Sequence, residues 1–341
     1  MQASVSRAIM RRVASAVPTF IGVVVIAFAL TRLLPGDPAA YFAGQAASVE
    51  AIEQIRAKLG LDQPLPVQFW RYVVDLSEGN WGESLTTGQP VLREIIQRLP
   101  ASLELSLAAL LLSMTFSVPL GVLAATHPGS LTDQVCRVII TAGVSLPVFF
   151  TGLLFAYVFY FLLGWAPAPI GRLDPFITPP AHVTGLYLID AAIVGDWAAW
   201  KSAAAQMVLP ACSMALFVMA PVARMTRAAM LGVLSSEFVR TARAMGLSRT
   251  TVLVRYALRN ALLPVLTTAG MVFSFMLGAN VLVEKVFSWP GIGSFALEAL
   301  IASDYAPVQG FVLAMAMAYV LLNLAIDLLY VVIDPRISID G

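Results

Sequence analysis

Seven arginines lie within one short stretch of this chain, and only one acid, Glu237, accompanies them. The stretch holds a third of the 21 basic residues in the sequence. Concentrated guanidinium groups mark the cytoplasmic side of a membrane protein and attract anionic surfaces. The chemistry available here is therefore the docking of a soluble partner or attraction to anionic lipid. The seven are Arg224, Arg227, Arg240, Arg243, Arg249, Arg255 and Arg259.

Signatures of catalytic chemistry are missing from the sequence. It contains neither a G-x-x-x-x-G-K-[ST] phosphate loop nor an H-E-x-x-H zinc motif. The histidines, His127 and His182, fall on opposite sides of the predicted membrane, so we do not expect them to share a metal. The cysteines, Cys136 and Cys212, lie in or beside apolar stretches, as small buried residues do. We expect no enzyme activity, metal, cofactor or nucleic-acid module in this chain.

The composition is that of an integral membrane protein. Of the 341 residues, 59% are hydrophobic and 12% are charged, and the mean hydropathy is +0.83. Soluble domains carry about 25% charged residues. The apolar runs predict an all-α membrane protein with about six transmembrane helices of ~20 residues. The predicted spans are residues 13–34, 101–125, 136–163, 205–227, 264–286 and 309–333.

The arginines also predict the orientation of the chain. With the N-terminus inside, connectors 1–12 and 228–263 are both rich in arginine and both cytoplasmic, as the positive-inside rule requires. The connector 126–135 and the tail 334–341 are then cytoplasmic too. We expect span 13–34 to be retained, because it is longer than the apolar core of a signal peptide.

The first outer connector, residues 35–100, is long enough for structure of its own. Ser48 can cap a helix that ends at Gly60. A second amphipathic helix is predicted from Val91 to Leu99, with Pro100 stopping it. This region is either a contact for an extracytoplasmic partner or a packed cap over the bundle.

Ionisable residues inside the spans would indicate ion coupling. Four of five candidates lie near predicted span ends, where a long side chain can carry its charge to water. The fifth, Asp327, is expected to pair with a neighbouring helix. The sequence has no series of charges at mid-membrane, which argues against a proton-driven carrier. The four are Arg32, Glu104, Glu284 and Lys285.

The arginine-rich connector predicts a helix, a glycine turn and a second helix. Ser235 or Ser236 can cap the first helix, and Glu237 lies in the first turn, where the helix dipole favours an acid. Gly246 suits the left-handed position that ends a helix. Ser248 can cap the second helix.

The first of these helices should carry one apolar stripe. Phe238, Ala242 and Met245 are spaced i, i+4 and i+7, which places them on one face. A solvated loop needs no such stripe, so the pattern favours a docking helix. Pro264 is expected to open the following span, where its missing N–H has no cost.

Residues 240–247, RTARAMGL, and residues 255–264, RYALRNALLP, resemble the "EAA loop" of ABC importer permeases, specifically the oligopeptide/dipeptide/nickel branch. Arg240, Thr241 and Ala242 occupy the places of Glu-Ala-Ala, and Gly246 that of the glycine. Arginine in place of glutamate is a departure that this branch commonly shows. Further stretches agree with the branch over nearly the full length: LPGDP at 34–38, LGLDQP at 59–64, GNWGES at 79–84, FSWPGIG at 287–293 and DPR at 334–336.

The resemblance implies the type I permease fold of an ABC importer in the bacterial inner membrane. It implies a homologous second permease subunit, an extracytoplasmic binding protein, and two cytoplasmic ATPase subunits that bind ATP and magnesium. The coupling helix of such a permease inserts into a groove of one ATPase. The positions that the resemblance and the local pattern assign to coupling are Glu237, Phe238, Arg240, Thr241, Ala242, Arg243, Met245 and Gly246.

These inferences divide the chain into four parts. An N-terminus with the first span covers 1–34, and the outer region covers 35–100. A five-helix transmembrane core covers 101–333 and contains the coupling helices at about 236–262. A cytoplasmic tail covers 334–341.

The fifth span carries methionine and small residues that give an adaptable wall, so we predict that it lines the pore. Helix packing through small residues is the alternative. The predicted function is half of an ATP-driven pore for di- and oligopeptides. The alternatives are a secondary transporter driven by an ion gradient, or an importer of nickel or another small solute. The predicted pore residues are Met271, Ser274, Met276, Gly278 and Asn280.

Overall fold

A computed structural model describes residues 17–29, 32, 38–43, 47–58, 60–143 and 145–333. Every extended regular element in these ranges is a helix, and one isolated β-bridge joins Glu83 to Pro90. Four of the described helices are long and apolar enough to cross a membrane. The all-α membrane fold is confirmed, and the count of about six spans is approximate. The predicted tail 334–341 and most of the LPGDP stretch lie outside the described residues.

The described N-terminal part contains four helices before the first long one. Ser48 caps the third as predicted, since its Oγ accepts a hydrogen bond from the Ala51 backbone N at 3.3 Å. Gly60 follows it with φ +66°, the left-handed conformation expected after a helix. The four are α1 (Val17–Ala29), α2 (Pro38–Ala43), α3 (Val49–Lys58) and α4 (Leu65–Ser77).

The first long helix, α5 (Val91–Thr126), corrects the predicted stop at Pro100. The amphipathic helix and the second span are one continuous element of 36 residues. Proline removes one backbone hydrogen bond, but a helix held by packing on both sides of it continues. Val91 and Ile95 are buried before Pro100, and Leu105 is buried after it.

The predicted span 136–163 is wrong as a single helix. Pro147 is the N-cap residue of the second piece, and its non-helical ψ of 139° separates this piece from the first. A further short helix lies in the following connector. The pieces are α6 (Leu131–Ala142), α7 (Val148–Phe155), a π-helical continuation (Ala156–Leu162) and α8 (Tyr187–Val194).

The most buried of the long helices is α9 (Trp197–Leu234), which runs through two prolines and begins before the predicted residue 205. It packs against α7 and α8 and, most extensively, against the helix that contains Pro264. Pro264 therefore does not open a span, because the helix has already begun at Arg249. The elements after α9 are α10 (Glu237–Ala244), α11 (Arg249–Thr251), a π-helical segment (Val252–Leu258) and α12 (Arg259–Ala279).

The predicted fifth span also ends early, because the helix breaks at Asn280. The chain then forms α13 (Val281–Val286), α14 (Ile292–Ile301) and α15 (Tyr305–Ile333). The side chain of Asp327 lies outside the described side chains, so its predicted pairing stays a prediction.

Contacts divide the chain into two compact units. One comprises the described residues up to Pro100 together with Pro290–Leu321, and its core includes Val91, Ile292 and Phe295. The other comprises Ala101–Trp289 with residues 322–333. The arginine-rich connector and its surroundings belong to this second unit.

Candidate functional site

Helix α10 is anchored to its own unit by a small apolar cluster. Val239 and Ala242 are 0% and 4% exposed, and they pack with Val252 of the following π-helical segment. Residues that precede α10 and residues that follow it both pack on the helix, so it does not project as a free loop. The cluster is completed by Val233, Leu234 and Leu247.

The face of α10 next to this buried pair is exposed and partly apolar. Phe238 is 44% exposed and Met245 is 73% exposed. The predicted single stripe thus divides: Ala242 packs inward, whereas Phe238 and Met245 face outward. A partner that covered these two large apolar side chains would remove their surface from water, which is favourable.

Polar side chains surround this apolar pair. Glu237 and Arg240 are both highly exposed, and Arg240 Nη1 lies 3.5 Å from Glu237 Oε1. Thr241 donates its Oγ1 proton to the backbone oxygen of Glu237 at 3.0 Å. Arg243 is also exposed. Apart from Ala242, every residue predicted to couple lies on the exposed surface of α10 or in the turn after it.

The turn after α10 has the predicted geometry. Gly246 has φ +75°, a left-handed conformation that L side chains rarely adopt. Ser248 Oγ accepts a hydrogen bond from the Thr251 backbone N at 3.2 Å and so caps the next helix. Ser236 is the N-cap residue of α10 but makes no side-chain cap, because its hydroxyl donates to the Val233 backbone oxygen.

An ion pair ties α6 to α9 shortly before α10 begins. Arg227 Nε and Nη2 each donate to one oxygen of Asp133 at 2.8 Å, and Gly129 N donates to Asp133 Oδ2 at 3.1 Å. The Arg227 guanidinium holds the pKa of Asp133 at about 2, below its usual value. Sequence reasoning missed this pair, whose members lie 94 residues apart.

The predicted pore residues separate into buried and exposed sets. Met276 and Asn280 are 2% and 1% exposed within this chain, so they do not face an open space in it. Met271 is 70% exposed, and a Cβ on Gly278 would meet nothing within 4 Å. Ser274 is half-buried, and its hydroxyl donates to the Gly270 backbone oxygen.

Sequence reasoning overlooked an aromatic residue on the exposed face of α12. Phe275 is exposed and stacks on Phe217 of α9, with ring centroids 5.9 Å apart. Met271, Phe275 and Gly278 share one face at i, i+4 and i+7. The exposure of this face leaves the pore-lining role of Met271 and Gly278 a prediction.

Two acids expected to reach water from span ends are buried instead. Glu284 is fully buried, and it accepts hydrogen bonds from Ser102 Oγ and, at 3.1 Å, from Asn280 Nδ2. Glu104 is buried as well and forms a salt bridge with Arg172. Snorkelling does not describe either residue, because polar partners from distant parts of the chain surround them.

Arg172 lies in the connector that runs from the π-helical continuation of α7 to α8. It joins this connector to helix α5. Besides Glu104, its Nη2 donates to the Gly185 backbone oxygen at 2.9 Å, and its guanidinium lies 3.4 Å from the centroid of the Tyr187 ring. Leu188 N donates to Glu104 Oε1 at 2.8 Å. The connector is therefore fixed to α5 by charge, stacking and backbone hydrogen bonds.

A metal centre has no counterpart in the described part of the chain, where no three histidine, cysteine or acidic side chains gather closely enough to hold an ion. The exposed face of α10 is the candidate site because it carries two exposed, large apolar side chains, and the chemistry that it offers is the binding of another macromolecule.

Comparison with known proteins gives this surface a context. Residues 117–339 match the binding-protein-dependent transport system inner membrane component, and residues 5–108 match the N-terminal part of membrane components of such systems. The chain is 45% identical over 320 residues to the probable D,D-dipeptide transport system permease protein DdpB of Escherichia coli strain K12, covering 94% of both chains.

Other relatives agree. The chain is 43% identical over 330 residues to the di/tripeptide transport system permease protein DppB of Pseudomonas aeruginosa strain UCBPP-PA14, covering 96% of this chain and 98% of the relative. Among solved structures, an inward-facing form of the MetNI methionine ABC transporter matches 71% of this chain and 97% of its own, with a TM-score of 0.50 and 15% identity. That identity supports a shared fold alone.

The chain is a multi-pass membrane permease with the helical fold of ABC importers. It belongs to the family of binding-protein-dependent transport system inner membrane components. The resemblance of residues 240–247 and 255–264 to the EAA loop predicted this class, and the prediction is confirmed at the level of the family.

Proposed function

We propose that this chain forms half of the pore of an ATP-driven peptide importer, and that α10 is its contact with a cytoplasmic ATPase subunit. Peptides are the proposed substrate because the relatives at 45% and 43% identity are named as dipeptide and di/tripeptide transport permeases. A homologous second permease subunit and an extracytoplasmic binding protein complete the proposed assembly, with both termini of this chain in the cytoplasm.

The observation that carries the proposal is the two-faced character of α10. Its inner face, Val239 and Ala242, is packed into the chain, and its outer face presents Phe238 and Met245. A helix fixed on one side transmits displacement, whereas a flexible loop would absorb it. The outer apolar pair supplies the area that an ATPase groove would cover.

The left-handed turn at Gly246 supports the same role. It joins α10 to a helical stretch that runs without interruption from Arg249 to Ala279, a length sufficient to span the bilayer. A push on α10 would therefore reach the membrane through a short rigid link rather than through a long loop.

Reconstitution tests the energy source and the substrate class together. The chain is incorporated into proteoliposomes with its second permease, ATPase subunits and binding protein, and uptake of a radiolabelled dipeptide is measured. We expect uptake that requires ATP and that survives the collapse of proton and sodium gradients. Uptake by this chain alone, driven by an ion gradient, would overturn the proposal. ATP-driven uptake of other solutes but no peptide would overturn the substrate class.

A further inference from the structure

Aromatic and polar side chains surround Arg32, which lies just beyond the end of α1. The guanidinium carbon is 4.8 Å from the centroid of the Phe28 ring and 5.8 Å from that of the Tyr305 ring. Its Nε donates a hydrogen bond to Gln68 Oε1 at 2.9 Å. All four residues belong to the first of the two units, so the cluster forms within one compact part of the chain.

The turn between α3 and α4 fixes the orientation of Gln68 in this cluster. Its Nε2 donates to the Gln63 backbone oxygen at 2.7 Å and to that of Leu61 at 3.4 Å, so its amide oxygen faces Arg32. This oxygen takes one of the five N–H donors of the guanidinium. Among the described residues, the remaining donors have no hydrogen-bond acceptor, and no acidic side chain pairs with Arg32.

A second hydrogen-bond donor, Tyr72, lies beside Arg32. Its ring contacts the same Phe28 ring at a centroid distance of 5.8 Å, and its hydroxyl is buried with no hydrogen-bond partner among the described residues. Burial raises the pKa of Tyr72 to about 12, against the opposing effect of the Arg32 charge, so the phenol stays protonated at neutral pH. A buried hydroxyl without a partner is costly, and an acceptor that approached Arg32 would supply one.

These groups together suit a carboxylate. A guanidinium presents a planar fork of N–H donors that matches the two carboxylate oxygens, and the phenol adds a further donor. Phe28 and Phe69, whose ring centroids are 5.3 Å apart, supply apolar surface next to the charge. Arg32 and Tyr305 are both partly exposed, so a small solute can reach them.

We infer that this cluster binds the C-terminal carboxylate of a peptide. Arg32 and Tyr72 donate hydrogen bonds to the carboxylate, and Gln68 holds the guanidinium in place. The terminal carboxylate of a short peptide is small enough to approach a buried hydroxyl, whereas an acidic side chain on a protein surface brings its neighbours with it. The inference rests on the proposed peptide substrate, and it adds a peptide site in the permease itself.

Equilibrium dialysis with the purified full-length chain tests the inference without any ATPase, second permease or binding protein. A radiolabelled dipeptide is offered as the free acid and, separately, as its C-terminal amide, which lacks the negative charge. We expect the free acid to bind at least about tenfold more tightly, because hydrogen bonds to a charged group are worth that much or more.

The variant Tyr72→Phe separates binding from stability. Because the hydroxyl has no partner among the described residues, its removal should leave the midpoint of thermal unfolding unchanged or raise it. The preference for the free acid should nevertheless fall about threefold or more.

The variant Arg32→Lys keeps the positive charge but loses the planar fork, so it should also reduce the preference for the free acid. Arg93→Lys, at an exposed position of α5, is the matched control and should keep that preference.

Three results would overturn the inference. One is equal binding of the free acid and the amide by the unmodified chain, and another is an undiminished preference in both Tyr72→Phe and Arg32→Lys. The third is complete displacement of the peptide by an equal concentration of acetate, which would show that the rest of the peptide contributes nothing. An acidic side chain of a partner protein as occupant would show as no peptide binding by the isolated chain and weaker assembly of Arg32→Lys with that partner, and this also contradicts the inference.

Failure of this inference and failure of the proposed function give different results. ATP-driven dipeptide uptake by the full assembly, with equal binding of acid and amide by the isolated chain, would show that only the site is wrong. A preference for the free acid that both variants reduce, with no peptide uptake by the assembly, would support the site and contradict the proposed transport.

Discussion

Arg227 and Asp133 form a two-pronged ion pair, with Arg227 Nε and Nη2 each 2.8 Å from one carboxylate oxygen. Asp133 is 1% exposed, and it also accepts from the Gly129 backbone N. The pair fastens the start of α6 to the last turns of α9, close to where α10 begins. It is one of the described contacts that would keep α10 in register with the membrane helices.

Loss of the Asp133 charge should therefore destabilise the folded chain. We expect Asp133→Asn to lower the midpoint of thermal unfolding by several degrees, because it leaves Arg227 without its carboxylate partner. Asp62→Asn, at an exposed position between α3 and α4, is the matched control and should change little. An unchanged midpoint for Asp133→Asn would show that the pair contributes nothing to stability.

The pH dependence of that difference follows from the pKa of Asp133. The Arg227 guanidinium holds the pKa at about 2 in the folded chain, against 3.8 for an unperturbed aspartate. The stability from a depressed carboxyl pKa is fully present above the unfolded value and declines as the pH falls through the folded one. The difference between wild type and Asp133→Asn should thus be constant from neutral pH down to about pH 4 and disappear towards about pH 2. A decline that is complete above about pH 5 would contradict it.

The turn at Gly246 tests the mechanical role of α10. A Cβ at this position would meet no atom within 4 Å, so substitution costs backbone strain and not a clash. Left-handed backbone costs an L residue about 1–2 kcal/mol, and more for a β-branched one. We expect Gly246→Val to reduce ATP-driven uptake severalfold while the binding protein still binds peptide. Gly246→Asn, which tolerates this conformation, should retain most of the uptake; equal uptake in all three proteins would contradict the role.

Close helix packing at Gly121 should make this glycine intolerant of any side chain. A Cβ there would lie 2.5 Å from Thr226 Cβ and 2.8 Å from the Ala223 backbone oxygen, both on α9. We expect Gly121→Ala to destabilise the chain by about 1–3 kcal/mol, since α5 and α9 must separate. Gly232→Ala, in α9 with nothing within 4 Å, is the control and should be neutral or slightly stabilising. Chemical denaturation in detergent measures both, and similar effects would contradict the packing.

Local chemistry predicted the part of the site that depends on neighbouring residues. The left-handed Gly246, the Ser248 cap and the helix before the turn follow from a few adjacent side chains, and all are present. The division of the apolar stripe could not be predicted in that way. Whether Phe238 or Ala242 is buried depends on where Val252 lies after the turn.

The larger errors concern prolines and buried acids. The local geometry of Pro100 and Pro264 predicts helix boundaries, whereas packing on either side carries the helices through them. The expectation that Glu284 reaches water rests only on its position near a span end. Its partner Ser102 is 182 residues away in sequence, so no local pattern predicts their contact.

The most direct test of the coupling role of α10 is ATP-driven uptake of a labelled dipeptide by proteoliposomes that contain Phe238→Ser/Met245→Ser. We expect this variant to fold normally, because both side chains face outward. Uptake should fall at least about tenfold, since burying two such side chains is worth about 3 kcal/mol or more. Leu65→Ser, at an exposed leucine that begins α4, should leave uptake unchanged. Full uptake by the Phe238→Ser/Met245→Ser variant would contradict the claim that α10 couples this permease to its ATPase.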